Sequence, residues 1–185
     1  MTPITMQQTV AEYYRMASAG MLSADDRVEL LGGQVVEMSP IGDRHAACVD
    51  ELAEQFMKML AGRVRIRIQG PVRLSDISEP EPDVALLERR ADMYADGHPR
   101  PEHVFLLVEV ADASLEKDRT LKLPLYAQAG IREVWIVNLM SDCIEVYHEP
   151  EGDAYRKRRT VPRNEWLSPA AFPDTMLNAD TILRR

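Results

Sequence analysis

The chain has 185 residues, of which 45% are hydrophobic and 28% charged, and its formal net charge at pH 7 is −8. This composition is ordinary for a soluble globular protein, and the length predicts a single domain (1–185) that needs no disulfides or structural metal. The acidic charge argues against a protein that coats nucleic acid nonspecifically. No stretch approaches the roughly 20 apolar residues of a membrane span, and the N-terminus has no secretory pattern. We therefore expect a cytoplasmic protein with no membrane partner.

The first third of the chain predicts two helices separated by a hairpin. Residues 5–19 have apolar side chains at helical spacing and end at Gly20. Residues 27–38 read as two strands around a Gly-Gly pair, which is a hairpin pattern. Asp43 is a candidate cap for a helix that continues to about Leu60.

Strands dominate the middle of the chain. Residues 63–68 alternate charged and apolar side chains, as in a strand with one solvated face, and residues 72–74 are a candidate continuation. Residues 84–87 predict a short buried strand, and the polar residues 88–103 predict a loop. The nearly unbroken apolar run 104–111 is typical of a central strand covered on both faces.

The last third predicts one helix followed by strands. The helix covers residues 118–129, where Pro124 either kinks it or lies in its first turn. Strands follow at 133–139, 144–148 and 155–161, and the proline-bearing remainder predicts irregular structure with short helices. The order of elements predicts an α/β (α+β) fold with a mixed β-sheet flanked by helices.

Charge is unevenly distributed along the chain. Seven acids and two arginines lie between Asp76 and Asp96, whereas basic residues gather at 63–67 and 156–159. Two interpretations remain open: an acidic metal pocket flanked by basic strips, or separate solvated faces. Cys48 and Cys143 have no zinc-finger spacing, and we expect both to be buried, inert thiols.

Two carboxylates stand out because of their apolar surroundings. Asp83 follows Pro82 at the start of an apolar strand, where an unpaired carboxylate is costly to bury. Metal coordination would offset that cost, and so would exposure at the strand end. Glu109 interrupts the central apolar run, where a glutamate is rarely buried unless it is paired. It is either one half of a buried ion pair or a functional carboxylate, and the neighbouring carbonyl of Val110 could supply a further metal ligand.

The predicted third helix carries the candidate cation. Lys122 is spaced to share a helix face with Asp118 and Tyr126, and Lys117 is a competing candidate. The alternative for Lys122 is an exposed pair with Asp118. A lysine beside a Mg²⁺ ion held by two carboxylates can orient the attacking water or offset charge on a phosphate. Such a centre would hydrolyse phosphodiester bonds.

Two further residues are weaker candidates for this site. Glu29 lies in an otherwise apolar strand and would join the carboxylates or form a structural pair. His45, in the first turn of the second predicted helix, would face solvent or contact a phosphate.

Taken together, these segments resemble the Uma family, a branch of the PD-(D/E)xK nuclease-like superfamily that includes restriction endonucleases. The resembling stretches are 28–38, 79–84, 107–110, 115–126 and 129–137. The resemblance implies a restriction-endonuclease-like core in which Asp83 and Glu109 are the catalytic carboxylates. In the superfamily's common pattern the lysine stands two residues after that glutamate, where this chain has Ala111. The resemblance therefore suggests Lys122 as a relocated substitute, which the long, flexible lysine stem permits.

The leading hypothesis is a Mg²⁺- or Mn²⁺-dependent endonuclease acting on DNA. Its predicted catalytic residues are Asp83, Glu109, Lys122 and Glu29. The predicted metal ligands are Asp83, Glu109 and the Val110 carbonyl, and the candidate substrate-binding residues are His45, Asp118 and Tyr126. The alternative is an inactive module with the same fold that binds nucleic acid or a protein, favoured by Ala111 and the acidic charge. The apolar strands 134–139 and 144–147 would serve either the core or a homodimer interface.

Overall fold

A computed structural model describes residues 7–23 and 25–183 of the chain. Helix α1 spans Val10–Ser18, and Thr9 and Glu12 bond reciprocally across its first turn as a capping box. The helix is shorter than predicted, and residues 5 and 6 of the prediction lie outside the described residues.

The predicted hairpin is present and is followed by the predicted long helix. Strands β1 (Val28–Leu31) and β2 (Gln34–Glu37) are antiparallel. Gly32 and Gly33 between them both have positive φ, which a two-residue turn of this kind requires. Helix α2 spans Asp43–Leu60, but its N-cap is Gly42. The prediction of Asp43 as the cap is therefore wrong by one residue.

A six-stranded mixed sheet forms the centre of the molecule. Its strands lie in chain order, and only β5 and β6 are parallel. The six strands are β3 (Arg65–Ile68), β4 (Val84–Leu87), β5 (Val104–Ala111), β6 (Glu133–Asn138), β7 (Cys143–Glu151) and β8 (Ala154–Pro162). The α/β (α+β) mixed-sheet prediction is confirmed.

The parallel pair needs a crossover, and a segmented helix supplies it. It consists of α3 (Leu115–Lys117), a π-helical turn (Asp118–Lys122) and α4 (Leu123–Gln128). Pro124, which has no N–H to donate, lies in the first turn of α4 directly after the π turn, and so well inside the crossover helix and not in its first turn. The helix begins three residues earlier than predicted.

Each face of the sheet carries its own core. Leu106, Val108 and Val110 pack on the side of α2, whereas Leu107 and Ala111 pack on the side of α4. Because strand side chains alternate, Glu109 projects toward the crossover helix. Strand β5 is covered on both faces, as predicted.

The remaining differences concern the connections and the tail. Residues 72–74 do not continue a strand. The tail contains a small antiparallel pair, β9 (Trp166–Leu167) with β10 (Leu177–Asn178), and a short helix α5 (Ala179–Ile182).

The two thiols lie in different environments. Burial raises the pKa of the Cys48 thiol to about 12. Cys143 is only half-buried, contrary to prediction, although burial still raises the pKa of its thiol. None of the helices in the described part of the chain is long and apolar enough to span a membrane.

Candidate functional site

Two neighbouring strands bring the predicted carboxylates together. Val84 of β4 pairs with Val108 of β5, so Asp83 and Glu109 lie at the same end of the sheet, one residue beyond that pair on each strand. The Val110 N–H donates to Asp83 Oδ2 at 2.8 Å. The N–H and C=O of any one strand residue point toward the same neighbouring strand. Because the Val110 N–H points toward Asp83, the Val110 carbonyl lies on the same side of β5.

Both carboxylates line a cavity of about 140 Å³ at this end of the sheet. It is enclosed by the β1–β2 hairpin, the N-terminus of α2, the segment before β4, the end of β5 and the crossover helix. Its charged or titratable lining residues are Arg27, Glu29, His45, Glu81, Asp83, Glu109, Asp112, Lys117, Asp118 and Lys122.

Asp83 is held in its ionised form by donors. His45 Nε2 lies 3.1 Å from its Oδ2, and Gln69 Nε2 donates to its Oδ1 at 3.2 Å. Burial opposes ionisation, but the hydrogen bonds from His45, Val110 and Gln69 outweigh it and lower the pKa of Asp83. His45 Nδ1 is buried with no hydrogen-bond partner among the described residues.

Glu109 is buried beneath the cavity and is paired on both oxygens. Lys122 Nζ lies 3.1 and 3.2 Å from them, and the Tyr126 hydroxyl donates to Oε1 at 2.5 Å. Burial raises the pKa of Glu109 well above its ordinary value, with Lys122 acting in the opposite direction. The ion-pair alternative for Glu109 is therefore correct in geometry, and its partner is the predicted lysine.

Lys122 lies between two strand carboxylates. Its Nζ is 3.0 Å from Glu29 Oε2 and also donates to the Glu81 carbonyl at 3.3 Å. Burial lowers the pKa of this lysine, but Glu109 and Glu29 outweigh burial and raise the pKa above its ordinary value. Lys122 is therefore the cation that Glu109 and Glu29 share.

Glu29 ties the hairpin to this centre. Its side chain is 0% exposed, and its Oε2 accepts from the Glu81 N–H at 3.1 Å. Lys117 Nζ reaches Glu29 Oε1 at 3.2 Å and the Glu37 carbonyl at 3.2 Å. The competing lysine thus pairs with Glu29, whereas Lys122 is the lysine next to Glu109.

The three candidate substrate-binding residues divide into two groups. His45 and Asp118 line the cavity, and Asp118 also accepts a hydrogen bond from the Ser114 hydroxyl at 2.7 Å. Tyr126 is buried beneath Glu109 and does not line the cavity. Its place makes it a support for Glu109, not a contact for substrate, and the exposed Asp118–Lys122 pair is excluded because both residues are buried.

Several residues that line the cavity or contact Asp83 were not predicted as site residues. Glu81 lies two residues before Asp83 in an extended segment, and that spacing places two side chains on one face. Gln69 gave no sequence pattern, since its contact with Asp83 depends on the antiparallel pairing of β3 with β4. Arg27 and Asp112 also line the cavity.

The cavity carries more carboxylates than cations. Burial raises the pKa of Glu81 and of Asp118, as it does for Glu109, because the ionised carboxylate loses its hydration there. Among the described residues no three His, Cys, Asp or Glu side chains are grouped so as to hold a metal ion. Mg²⁺ needs only one or two carboxylates and keeps several waters, so the oxygen donors of Asp83, Glu109 and Val110 fit that ion.

Neither basic strip lines this cavity. None of residues 63–67 or 156–159 is among its lining residues. On β8, Arg158 pairs with Glu145 at 3.2 Å and Arg159 with Glu165 at 3.0 Å. The two strips are therefore not part of the cavity wall.

Comparison with known proteins places the chain in a family. Residues 10–180 match the model of the Uma2 family, described as "Putative restriction endonuclease". A crystal structure from Anabaena variabilis, described as a putative nuclease belonging to DUF820, superposes with a TM-score of 0.72 at 11% identity and covers 95% of this chain and 97% of its own. None of the curated proteins matches the chain. Since the family model covers nearly all of it, the chain belongs to the Uma2 family.

Proposed function

We propose that this protein is a metal-dependent endonuclease of the PD-(D/E)xK type that hydrolyses phosphodiester bonds in DNA. The observation that carries the proposal is the convergence of Asp83, Glu109 and Lys122 at one cavity. Membership of a family described as restriction endonucleases supports it. In this proposal Lys122 takes the role of the lysine that the usual pattern places at Ala111.

The carboxylates of Asp83 and Glu109 and the carbonyl of Val110 would hold Mg²⁺ or Mn²⁺. Such an ion polarises the phosphate and makes a bound water a stronger nucleophile. To bind a metal ion, Glu109 would turn an oxygen away from Lys122 and toward the cavity. Lys122 would still have a carboxylate partner, because its Nζ lies 3.0 Å from Glu29 Oε2. The excess of buried acid at this site favours a divalent cation on electrostatic grounds.

The remaining residues then have defined tasks. Lys122 is protonated, so it orients water and offsets charge on the phosphate, and it does not remove a proton. Tyr126 and Glu29 fix the positions of Glu109 and Lys122. His45 and Asp118 face the cavity and would contact the substrate or its water.

The alternative proposal is an inactive module that binds nucleic acid or a protein. Ala111 and the occupation of both Glu109 oxygens by Lys122 favour it. The two proposals differ in whether phosphodiester bonds are broken.

Plasmid nicking distinguishes them. Purified protein is incubated with supercoiled plasmid in Mg²⁺, Mn²⁺ or EDTA, and we expect cleavage only with metal. Glu109→Gln should abolish cleavage. Glu133→Gln is the matched control, because Glu133 is also a buried strand glutamate bonded to an aromatic donor, Trp135, yet lies outside the cavity. Binding without nicking under either metal would favour the inactive module, and cleavage that survives Glu109→Gln would refute the assignment.

A further inference from the structure

A second cavity lies beside the first, across the segment that leads into β4. Its volume is about 430 Å³, and Glu79 lines it while Glu81 and Asp83 line the first cavity. Prolines at 80 and 82 keep this segment extended, so Glu79 and Glu81 are about 6 to 7 Å apart along the chain. The two cavities are close enough to hold neighbouring nucleotides of one strand.

Cationic groups from two loops converge on the second cavity. Arg73, Arg90 and Arg100 line it. Arg90 is held by two hydrogen bonds to Asp92, at 2.9 and 2.6 Å, and Arg73 pairs with the exposed Asp76 at 3.0 Å. Arg100 forms no ion pair with any described residue and is exposed. Arg100 and the partly exposed Arg73 are therefore available to an anion.

A histidine adds a neutral donor to these cations. His103 Nδ1 accepts a hydrogen bond from the backbone N–H of Arg100 at 3.1 Å. The other ring nitrogen of His103, Nε2, is therefore the one that can donate. His103 also lines the cavity.

The cavity also has an aromatic platform. The Tyr14 ring is 43% exposed and lies stacked on His98, with centroids 6.4 Å apart and an interplanar angle of 26°. Its hydroxyl donates to Glu79 Oε1 at 2.5 Å, which fixes the orientation of the ring. An oriented, partly exposed aromatic ring close to arginines suits a nucleobase.

The acids of this cavity differ in how far their charge is compensated. Asp92 is neutralised by Arg90. Glu79 is buried beneath the Tyr14 hydroxyl, and its Oε2 has no hydrogen-bond partner among the described residues, whereas Asp96 is exposed to solvent.

We propose that the second cavity binds a nucleotide of single-stranded nucleic acid next to the phosphodiester that is cleaved. Its base stacks on Tyr14, and its phosphate contacts Arg100 and Arg73. This inference rests on the proposed nuclease function, because the strand must continue from the first cavity into the second.

Fluorescence anisotropy with a labelled short single-stranded oligonucleotide in EDTA tests this without any cleavage. We expect Tyr14→Ala to weaken binding about tenfold, whereas Tyr14→Phe keeps the ring and binds within about threefold of the wild type. Arg100→Ala should weaken binding and reduce the slope of log K against log salt by about 0.7, the value for one phosphate contact on a single strand. The control is Arg156→Ala, which also removes an exposed arginine, from β8 at the edge of the sheet, where it pairs with Glu151 at 3.5 Å.

The outcomes separate this inference from the proposed function. Equal affinities and slopes for Arg100→Ala and Arg156→Ala would overturn the inference even if the protein cleaves plasmid. A specific loss with Arg100→Ala and Tyr14→Ala supports a nucleotide site in the second cavity even if no metal gives cleavage; in that case the nuclease proposal fails, and with it the position of the nucleotide next to a cleaved bond.

Discussion

Replacing Lys122 by methionine would leave Glu109 and Glu29 buried without their shared cation. The lysine side chain is 4% exposed and lies 3.1 Å from Glu109 and 3.0 Å from Glu29. Solvent therefore screens neither contact appreciably. Removing one member of a buried ion pair costs about 3 to 5 kcal/mol, because an uncompensated charge stays in the interior.

The expected loss depends on pH in a defined direction. The pKa of Lys122 is raised, so its contribution in the wild type is fully present below about pH 10. Without it the pKa of Glu109 rises further above its unfolded value, and a carboxylate of this kind stabilises the fold at low pH and loses that stability as pH rises. The free energy of unfolding of Lys122→Met should therefore fall more at about pH 8 than at about pH 5.

Urea denaturation at the two pH values measures this. With an m value of about 2 kcal/mol/M, a loss of 4 kcal/mol moves the midpoint by about 2 M. The matched control, Lys58→Met, breaks an exposed helical pair with Glu54 and should cost less than about 1 kcal/mol. A loss in Lys122→Met as small as that of the control, or one equal at both pH values, would refute the description of Lys122 as the buried partner of both carboxylates.

Three further predictions concern the same sheet. Tyr126→Phe removes the hydroxyl that donates to Glu109 and should lower the free energy of unfolding, measured by urea denaturation, by about 1 to 3 kcal/mol. An unchanged free energy of unfolding would contradict this hydrogen bond. Mn²⁺ affinity should rise with pH and binding should release protons, because burial raises the pKa of Glu109 and of Asp118. Calorimetry in two buffers of different ionisation enthalpy measures the released protons, and a pH-independent affinity would contradict this prediction. Burial raises the pKa of Glu133 from 4.5 to about 7, so the free energy of unfolding of the wild type should fall by about 3 kcal/mol as pH rises through that interval. In Glu133→Gln the free energy of unfolding, measured by thermal or urea denaturation, should depend less on pH. An unchanged profile in that variant would show that another group titrates there.

Local patterns predicted most of the elements because their periods and turn residues are unambiguous. The Gly32–Gly33 turn, a strand at residues 65–68 and the apolar run of β5 each correspond to the structure, although all four residues of β3 are half-buried and no face of it is fully solvated. The tail has a short helix, as predicted, but its strand pair was missed, because β9 and β10 are two residues each and pair across a proline-bearing segment. The start of the crossover helix was also missed, since a π turn breaks the regular period after Lys117.

The candidate site was predictable where a residue conflicts with its surroundings. Glu109 in an apolar strand and Glu29 in the hairpin both proved to be buried carboxylates that share Lys122. Gln69 and Arg27 are polar residues in polar stretches of the sequence, so nothing marks them as functional. Gln69 reaches the site through the pairing of β3 with β4, and Arg27 through the packing of the hairpin. Tyr126 lies on the predicted face of the helix but is buried beneath Glu109 instead of lining the cavity. Sequence spacing predicts which way a helix side chain points, but not how deeply it is buried.

A crystal of this protein soaked in Mn²⁺ tests the central claim most directly. We predict an anomalous difference peak within coordination distance of the carboxylates of Asp83 and Glu109, with the Val110 carbonyl as a further ligand and Lys122 still paired with Glu29. The peak should be absent from Glu109→Gln soaked in the same way and present in Glu133→Gln. A peak at another place in the molecule, together with metal-dependent cleavage, would contradict the assignment of this cavity as the catalytic centre.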